Sequence, residues 1–526
     1  MQKVSVYDTT LRDGNQALGI SLSVNDKLHI TEKLNDLGVH YIEGGWPTPG
    51  NDIDKEYFRR VASMSLKSRV SVFGSTRRKG EICSKDALIR QLVKSEAPVA
   101  CIFGKTWDLH VKEVIRASLT ENLDMIAETV AYLKRHFDEV IYDAEHFFDG
   151  YLHNGEYALK TLDAAWQGGA DCLVLCDTNG GMMPGEMTEV FGGVSERVAA
   201  PLGIHTHNDA GCADANSFIA VSLGAVQVQG TINGVGERSG NANLCTLIPG
   251  LQIKKGHAVI TEQQLKSLVP ISVYVSEILN IGHNIRLPYV GEAAFSHKAG
   301  THADGVRKNR LSFEHIDPAC IGADRHFVVS DQAGSGTILE KLKTIKPGLD
   351  KKDPLVGELL HHIQKQEANG YQYEAADASF ELAACEMLGM FEAAFRLKGF
   401  RVIEEKRENG ELFSEATIKL QKGKDFEHTA AEGDGPVNAL DNALRKALMK
   451  FYPSLKEVHL EDFKVRVLDE KEGTAAKVRV LIESSDGIER WGTIGVSTNI
   501  IEAAWLALVD SLEYKLMKDA RTHGKK

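Results

Sequence analysis

Two histidines, His205 and His207, close a short apolar run in the sequence Gly203-Ile204-His205-Thr206-His207-Asn208-Asp209. In a β-strand successive side chains alternate faces, so residues i and i+2 point the same way. If the run is a strand, both imidazoles aim at one point. Neutral ring nitrogens meeting at a point suit a divalent transition metal. A pair of structural or surface histidines is the alternative that this spacing leaves open.

Other polar sequences also sit at the ends of apolar runs. They are Asp8-Thr9-Thr10-Leu11-Arg12-Asp13-Gly14, Glu43-Gly44-Gly45, Asp143-Ala144-Glu145, Asp177-Thr178-Asn179-Gly180, and Gln229-Gly230-Thr231 with the later Gly234–Asn241. The elements that must position them are eight short apolar runs: Val4–Tyr7, Tyr41–Glu43, Val70–Phe73, Val99–Phe103, Val140–Tyr142, Cys172–Cys176, Gly203–Thr206 and Ala225–Val228. Each is nearly continuous rather than alternating, as in parallel strands covered on both faces. Helix-like stretches lie between them, such as Asn25–Leu37 and Thr120–Phe137. Asn25 and Thr120 are the expected N-caps, and Gly38 the glycine that ends the first helix. Eight β-α repeats over roughly 250 residues indicate a TIM barrel, with an open doubly wound sheet as the alternative. A barrel requires functional groups at the C-terminal ends of its strands. The polar sequences fall there.

The whole chain has 526 residues, enough for about three domains. It is 43% hydrophobic and 25% charged, and its net charge of −12 argues against nucleic acid or an anionic membrane as the main partner. The N-terminus turns polar almost at once, unlike a signal peptide, and no apolar run reaches the length of a membrane span. Eight scattered cysteines without a close CxxC pair fit reduced, mostly buried thiols in a cytoplasmic protein.

After residue 250 the alternation stops. Thr261–Leu268 and Ile271–Leu279 read as helices separated at Pro270. Titratable residues interleaved with glycines in Ala294–Gly305, including His297 and His302, read as a loop that moves over a site. Lys341–Pro354, with five lysines and two prolines, reads as a solvated linker. Beyond about residue 376 there is a weak internal repeat. Alternating runs flank the turns Arg407-Glu408-Asn409-Gly410 and Glu470-Lys471-Glu472-Gly473, and helices begin near Asp434-Gly435-Pro436 and Ser497-Thr498. Two β-β-β-α units in series imply a compact α+β module. The expected divisions are a catalytic barrel at 1–265, linker subdomains at 266–375 and a regulatory domain at 376–526.

DTTLRDG (8–14), HTHNDAG (205–211) and NGVGERSGNANL (233–244) occur in that order. Together they resemble the metal-dependent, aldolase-type TIM barrels that condense acetyl-CoA with 2-keto acids. That group includes the 2-isopropylmalate and homocitrate synthases and is related to hydroxymethylglutaryl-CoA lyase. The resemblance spans the chain, because the C-terminal part resembles the regulatory domain of isopropylmalate synthases. The GxG within GVGERSGN follows the eighth run rather than opening a first β-α-β unit, which excludes a dinucleotide reading.

The resemblance implies a divalent cation (Mg, Mn, Co or Zn) on Asp13, His205 and His207, with Asn241 a direct or water-mediated ligand. It implies that Arg12 steadies the alkoxide that develops when the carbon–carbon bond forms. Glu145 and Thr178 resemble positions at the keto-acid pocket, Asp143 is a further substrate contact, and Glu43 supports these groups from behind. His302, in His-x-Asp-Gly, is the expected base. Relatives pair it with a tyrosine where this chain has Phe313, so His315 or a water is the alternative relay. The stretch KTWDLHV, with Trp107 as a candidate pocket wall, resembles the pyruvate-using branch. The implied reaction joins acetyl-CoA to pyruvate, with isoleucine as effector and a homodimer as the assembly. The same chemistry on 2-ketoisovalerate or as in a homocitrate synthase, and a non-catalytic ligand-sensing barrel, are the competing readings.

Overall fold

The structure is a computed structural model that describes residues 3–328, 335–350, 353–406, 408–468 and 475–523. Each apolar run of the first half forms a parallel strand. They are β1 (Ser5–Asp8), β2 (Tyr41–Gly45), β3 (Arg69–Ser75), β4 (Val99–Lys105), β5 (Glu139–Glu145), β6 (Cys172–Asp177), β7 (Leu202–Thr206) and β8 (Gln227–Gly230). They pair in sequence order and close, with β1 on β8 through Tyr7 opposite Gln229. The intervening helices are α1 (Val24–Leu37), α2 (Asp52–Val61), α3 (Ala87–Lys94), α4 (Leu119–Leu133), α5 (Phe147–Gly168), α6 (Pro184–Ser195) and α7 (Ala213–Ser222), with α8 (Leu244–Pro249) after β8.

Strand alternation splits the apolar side chains into two cores. Outward residues such as Val6, Ile42, Val72 and Ile204 pack under the helices. Inward residues such as Tyr7, Phe73, Cys101, Ile141 and Val174 fill the barrel. The polar groups are inward residues near the C-terminal ends, so they share one mouth.

Several local expectations are corrected. Ser23, not Asn25, caps α1: its hydroxyl accepts from the Asp26 amide while Asp26 reaches back to Ser23 N–H. That reciprocal pair satisfies two open backbone donors, and Asn25 falls in the first turn. Ser118 likewise displaces Thr120 as the cap of α4. Gly38 does end α1 in the left-handed region, at φ 86°. Helices α9 (Glu262–Leu265) and α10 (Leu268–Ile278) break before Pro270, which lies in the first turn of α10, where its missing N–H has no helical partner to lose.

The compact unit built on the barrel comprises Met1–Phe295 and Ile316–Arg325; the second comprises Ser296–His315 and His326–Lys526. In the second unit, His297 lies in β9 (Ser296–His297), paired with β10 (His326–Phe327). His302 lies on α11 (Gly300–Lys308), a helix where the sequence reads as a loop. Ala303 and Val306, three apart, supply the buried face that orders it. The expected linker is partly helix: α12 (Ser335–Ile345) takes its first residues, with Leu342 buried, and α13 (Pro354–Ala368) begins at its last. Lys351 and Lys352 lie outside the described residues. Helix α14 (Asp377–Met387) follows.

The repeat is present. Strands β11 (Arg396–Lys406), β12 (Leu412–Lys422) and β13 (Asp425–Gly433) form one antiparallel sheet with α15 (Pro436–Leu448) against it. Strands β14 (His459–Val467), β15 (Val478–Ser485) and β16 (Arg490–Ser497) form the second with α16 (Ile500–His523). Ala416, Ile418 and Leu420 alternate into the buried face of β12, as Val480 and Ile482 do in β15. The Glu470–Gly473 turn lies outside the described residues, as does Arg407. Among the described residues no helix is long and apolar enough to cross a membrane. All eight cysteines are free and six are buried.

One buried ion pair fixes the mouth-side end of β2. The ammonium of Lys27, on α1, meets Asp54, on α2, and donates to the Gly44 carbonyl at 3.0 Å. Asp54 also accepts from the Trp46 amide at 2.8 Å and from the Asn51 side chain at 2.7 Å. Gly45 has φ 146°, and a Cβ there would run into the Asp54 carboxylate, so only glycine fits. Asp54→Ala strands a buried ammonium and is expected to cost the barrel unit about 3 kcal/mol or more in urea unfolding. Adding Lys27→Met should recover part of that loss; full stability of Asp54→Ala alone would show that the pair is not needed.

Candidate active site

The mouth is assembled from β1, β2, β5, β7 and β8. Among the described residues, Asp13, His205 and His207 form a group whose ligand atoms lie within 4.8 Å of one another, and all three are buried. The Nε2 atoms of the two histidines are 3.3 Å apart. They stand 4.0 Å and 3.8 Å from Asp13 Oδ2. His205, one residue before the end of β7, is the inward residue level with Gln229 of β8, and His207 pairs backbone to backbone with Asn241. Asp13 comes from the turn after β1, whose amides fold back onto the Thr9 carbonyl.

Gln229, to which sequence reasoning gave no role, fixes the orientation of His205. Its amide nitrogen donates to Asp143 Oδ1 at 3.0 Å, which turns its oxygen to His205 Nδ1 at 2.9 Å. Nδ1 therefore carries the proton, and the Nε2 lone pair faces Asp13 and His207. Asn241 donates from Nδ2 to Asp13 Oδ1 at 2.7 Å. Its own Oδ1, and His207 Nδ1, are buried without a protein partner among the described residues. A Cβ on Gly236 would strike the Asn241 amide and come within 2.9 Å of Asp13 Oδ1, so this glycine lets the loop close over the site.

Arg12 binds two carboxylates. Its Nε donates to Glu43 Oε2 at 2.5 Å and its Nη1 to Asp13 Oδ2 at 2.8 Å. Tyr7 Oη donates to the other oxygen of Glu43 at 2.8 Å and accepts from the Ser71 hydroxyl at 3.0 Å. The guanidinium lies over the Phe73 ring, 3.9 Å from its centroid.

Burial and charge set the protonation states. Burial opposes ionisation of Asp13, but Arg12 and the two imidazoles outweigh it and hold the carboxyl well below its ordinary range. Burial drives His205 down to about 3, with His207 adding to the effect. Burial also lowers His207. Burial lifts Asp143 to about 7, reinforced by the Glu43 charge and opposed by Arg12. The cluster thus offers one carboxylate and two neutral imidazoles, a donor set that fits a divalent cation.

The remaining expected residues are placed as follows. Glu145 ends β5 and pairs with Lys105. Thr178 accepts the His146 amide at 2.9 Å through its hydroxyl, and His146 itself sits in the left-handed region at φ 55°. Trp107 stacks on His110 at 5.2 Å and leans on His146 at 5.9 Å, with its indole nitrogen buried and unpartnered. In the second unit, His302 stacks on Phe313 at 4.2 Å, and His297 bonds Glu314 at 3.0 Å.

A closed barrel with this Asp-His-His mouth, followed by a doubled β-β-β-α unit, defines the class: a TIM barrel equipped for a divalent cation and joined to an α+β module. Residues 3–275 match the HMGL-like family, 289–370 the homocitrate synthase post-HMGL domain-like family, and 374–516 the LeuA allosteric (dimerisation) domain. A protein of Aquifex aeolicus named (R)-citramalate synthase is 52% identical over 98% of both chains. One of Geobacter sulfurreducens with the same name is 52% identical over 100% of both. A 2-isopropylmalate synthase of Methanocaldococcus jannaschii is 30% identical over 98% of this chain and 95% of its own. The chain belongs to the HMGL-like family and to the (R)-citramalate synthase group within it.

His207→Ala and Asp13→Ala should each weaken Mn2+ binding, measured by calorimetry, by about tenfold or more while leaving circular dichroism unchanged. In the unsubstituted protein the affinity should hold nearly flat from pH 8 to pH 6. Imidazoles with lowered pKa values bind fewer protons there than ordinary histidines, so protons compete less for the ligands. A tenfold fall across that window would contradict the neutral-ligand arrangement.

Proposed function

We propose that this protein condenses acetyl-CoA with pyruvate and hydrolyses the thioester, giving (R)-citramalate and CoA. The observation that carries the reading is likeness over the full chain to relatives named (R)-citramalate synthase, joined to a complete Arg12, Asp13, His205 and His207 mouth.

Asp13, His205 and His207 would hold the cation, with the unpartnered Asn241 Oδ1 next to them. The ion would polarise the keto carbonyl as a Lewis acid. Arg12 has Nε and Nη1 committed to Glu43 and Asp13, which fixes its plane and leaves Nη2 for a substrate oxygen on which charge grows. Glu43 and Tyr7 hold Arg12 in that pose. We assign Asp143, Glu145, Thr178 and Trp107 to substrate contacts and His302 to removal of the acetyl proton, on the motif resemblance. Phe313 cannot relay that proton, since a phenyl ring has no titratable group. The division 1–265, 266–375 and 376–526 is proposed as catalytic barrel, linker and regulatory domain. The last acts in a homodimer, in the cytoplasm, with isoleucine, the end product of the pathway the product enters, as effector.

The direct test is CoA release, followed by thiol detection, with acetyl-CoA and a panel of keto acids. Pyruvate should be preferred. Preference for 2-ketoisovalerate would move the protein to the isopropylmalate reaction, and the absence of CoA release with every keto acid would support a non-catalytic sensor. Arg12→Lys should lower kcat by about a hundredfold or more with little change in KM, because a point charge cannot hold two carboxylates and an oxyanion together. A change confined to KM would reduce Arg12 to a substrate anchor. Isoleucine, and not leucine, should inhibit the full-length chain, with a coupling of about 1–3 kcal/mol. Inhibition by leucine alone would count against both the effector and the keto acid.

A further inference from the structure

Behind Arg12 the mouth carries an aromatic wall. Phe73 of β3 and Phe103 of β4 stack with centroids 5.5 Å apart and planes 24° apart. Trp46, just beyond β2, meets both edge-on, at 5.8 Å from Phe73 and 5.6 Å from Phe103. The three rings support one another, and their edge-to-face contacts are the favoured aromatic geometry. Trp46 is also fixed through its backbone. Its amide donates to Asp54, which the Lys27 ion pair holds, and the preceding Gly45 has the φ of 146° described above. The hydrogen bond to Asp54 fixes the backbone at Trp46, and the ring itself is held by its edge contacts with Phe73 and Phe103. Its ring nitrogen is buried and has no partner among the described residues.

The wall lies across the barrel from β7, since β3 is four strands from β7 in a closed ring of eight. A 2-keto acid offers its carboxylate and carbonyl oxygens to Arg12 and to the Asp13, His205 and His207 side. Facing β3 and β4, its remaining substituent would meet the ring edges beside the Arg12 guanidinium, which itself covers the Phe73 face. That substituent is a methyl in pyruvate and an isopropyl in 2-ketoisovalerate.

We propose that Trp46, set edge-on against the stacked Phe73 and Phe103, sets the size limit of the keto-acid pocket and is the specificity-determining residue for small 2-keto acids. The inference rests on the proposed condensation and names the part of the site that selects its substrate. The sequence points instead to Trp107, which the structure engages with His110 and His146.

The experiment compares kcat/KM for pyruvate and 2-ketoisovalerate in the full-length protein, in Trp46→Ala and in Trp46→Phe. Taking the ratio of substrates within each variant cancels any loss of folded protein. Trp46→Ala should shift the ratio toward 2-ketoisovalerate by about tenfold or more, the scale of a few methylenes in an apolar pocket. Trp46→Phe keeps a ring in the wall and removes the N–H, and should stay within about threefold of the unsubstituted ratio. An unchanged ratio in Trp46→Ala, or an equal shift in Trp46→Phe, overturns the proposal. Calorimetric titration of the same two acids into Mn2+-loaded protein reads the same discrimination without turnover. If the unsubstituted protein binds pyruvate more tightly and Trp46→Ala loses that preference while no CoA is released, the condensation falls and the size limit stands. If the unsubstituted protein shows no preference between the acids in either assay, the size limit falls.

Discussion

The site depends on one largely buried arginine held between two carboxylates. Arg12, Glu43 and Asp13 come from two neighbouring strand ends and carry a net charge of −1 into a mouth where their side chains are little exposed. Burying three charges is costly unless each is paired, and here each is. Because Arg12 spends only Nε and Nη1 on its partners, it is rigid before any substrate arrives. Pre-organisation of this kind is what makes a hydrogen-bond donor effective toward charge that appears in a transition state. Removing Glu43 from this arrangement would free Arg12 to collapse onto Asp13 and compete with a cation for it.

The histidines complete the balance. Two imidazoles at 3.3 Å cannot both be protonated in a buried site, so burial and mutual repulsion keep them neutral. The Gln229–Asp143 link then decides which nitrogen of His205 is bare. Arg12 divides its one positive charge between Glu43 and Asp13, so the group keeps a net negative charge that a cation at Asp13 would meet. The same barrel interior supplies the opposite wall in apolar form. Polar ligands on β1 and β7 and aromatic rings on β3 and β4 follow from alternation along each strand and from closure of the ring, with no further device.

The C-terminal part follows a different rule. Its two sheets are antiparallel, each covers one face with its own helix, and exposed apolar residues such as Leu412, Phe426 and Val467 remain on the sheets. Half-buried strands of this type need the alternating pattern seen in Ala416, Ile418 and Leu420, whereas the barrel strands need continuous apolar runs. The two periodicities divide the chain as clearly as the motifs do.

Much of this was legible in the sequence. The eight runs, their parallel character and the convergence of His205 with His207 depend on neighbours in the chain, where a period of two or 3.6 fixes which way a side chain points. The repeat of β-β-β-α units was legible for the same reason. The cap of α1 at Ser23, the position of Pro270 inside the first turn of α10 and the helix under His302 were not. Each turns on a choice among adjacent residues that the buried face settles. The groups that make the site work lay furthest from view. Gln229 meets Asp143 across 86 positions and Arg12 meets Glu43 across 31. Lys27 and Trp46 are joined only through Asp54. Sequence determined which residues face inward; closure of the barrel decided which of them touch, because contacts between distant strands exist only once the ring is complete.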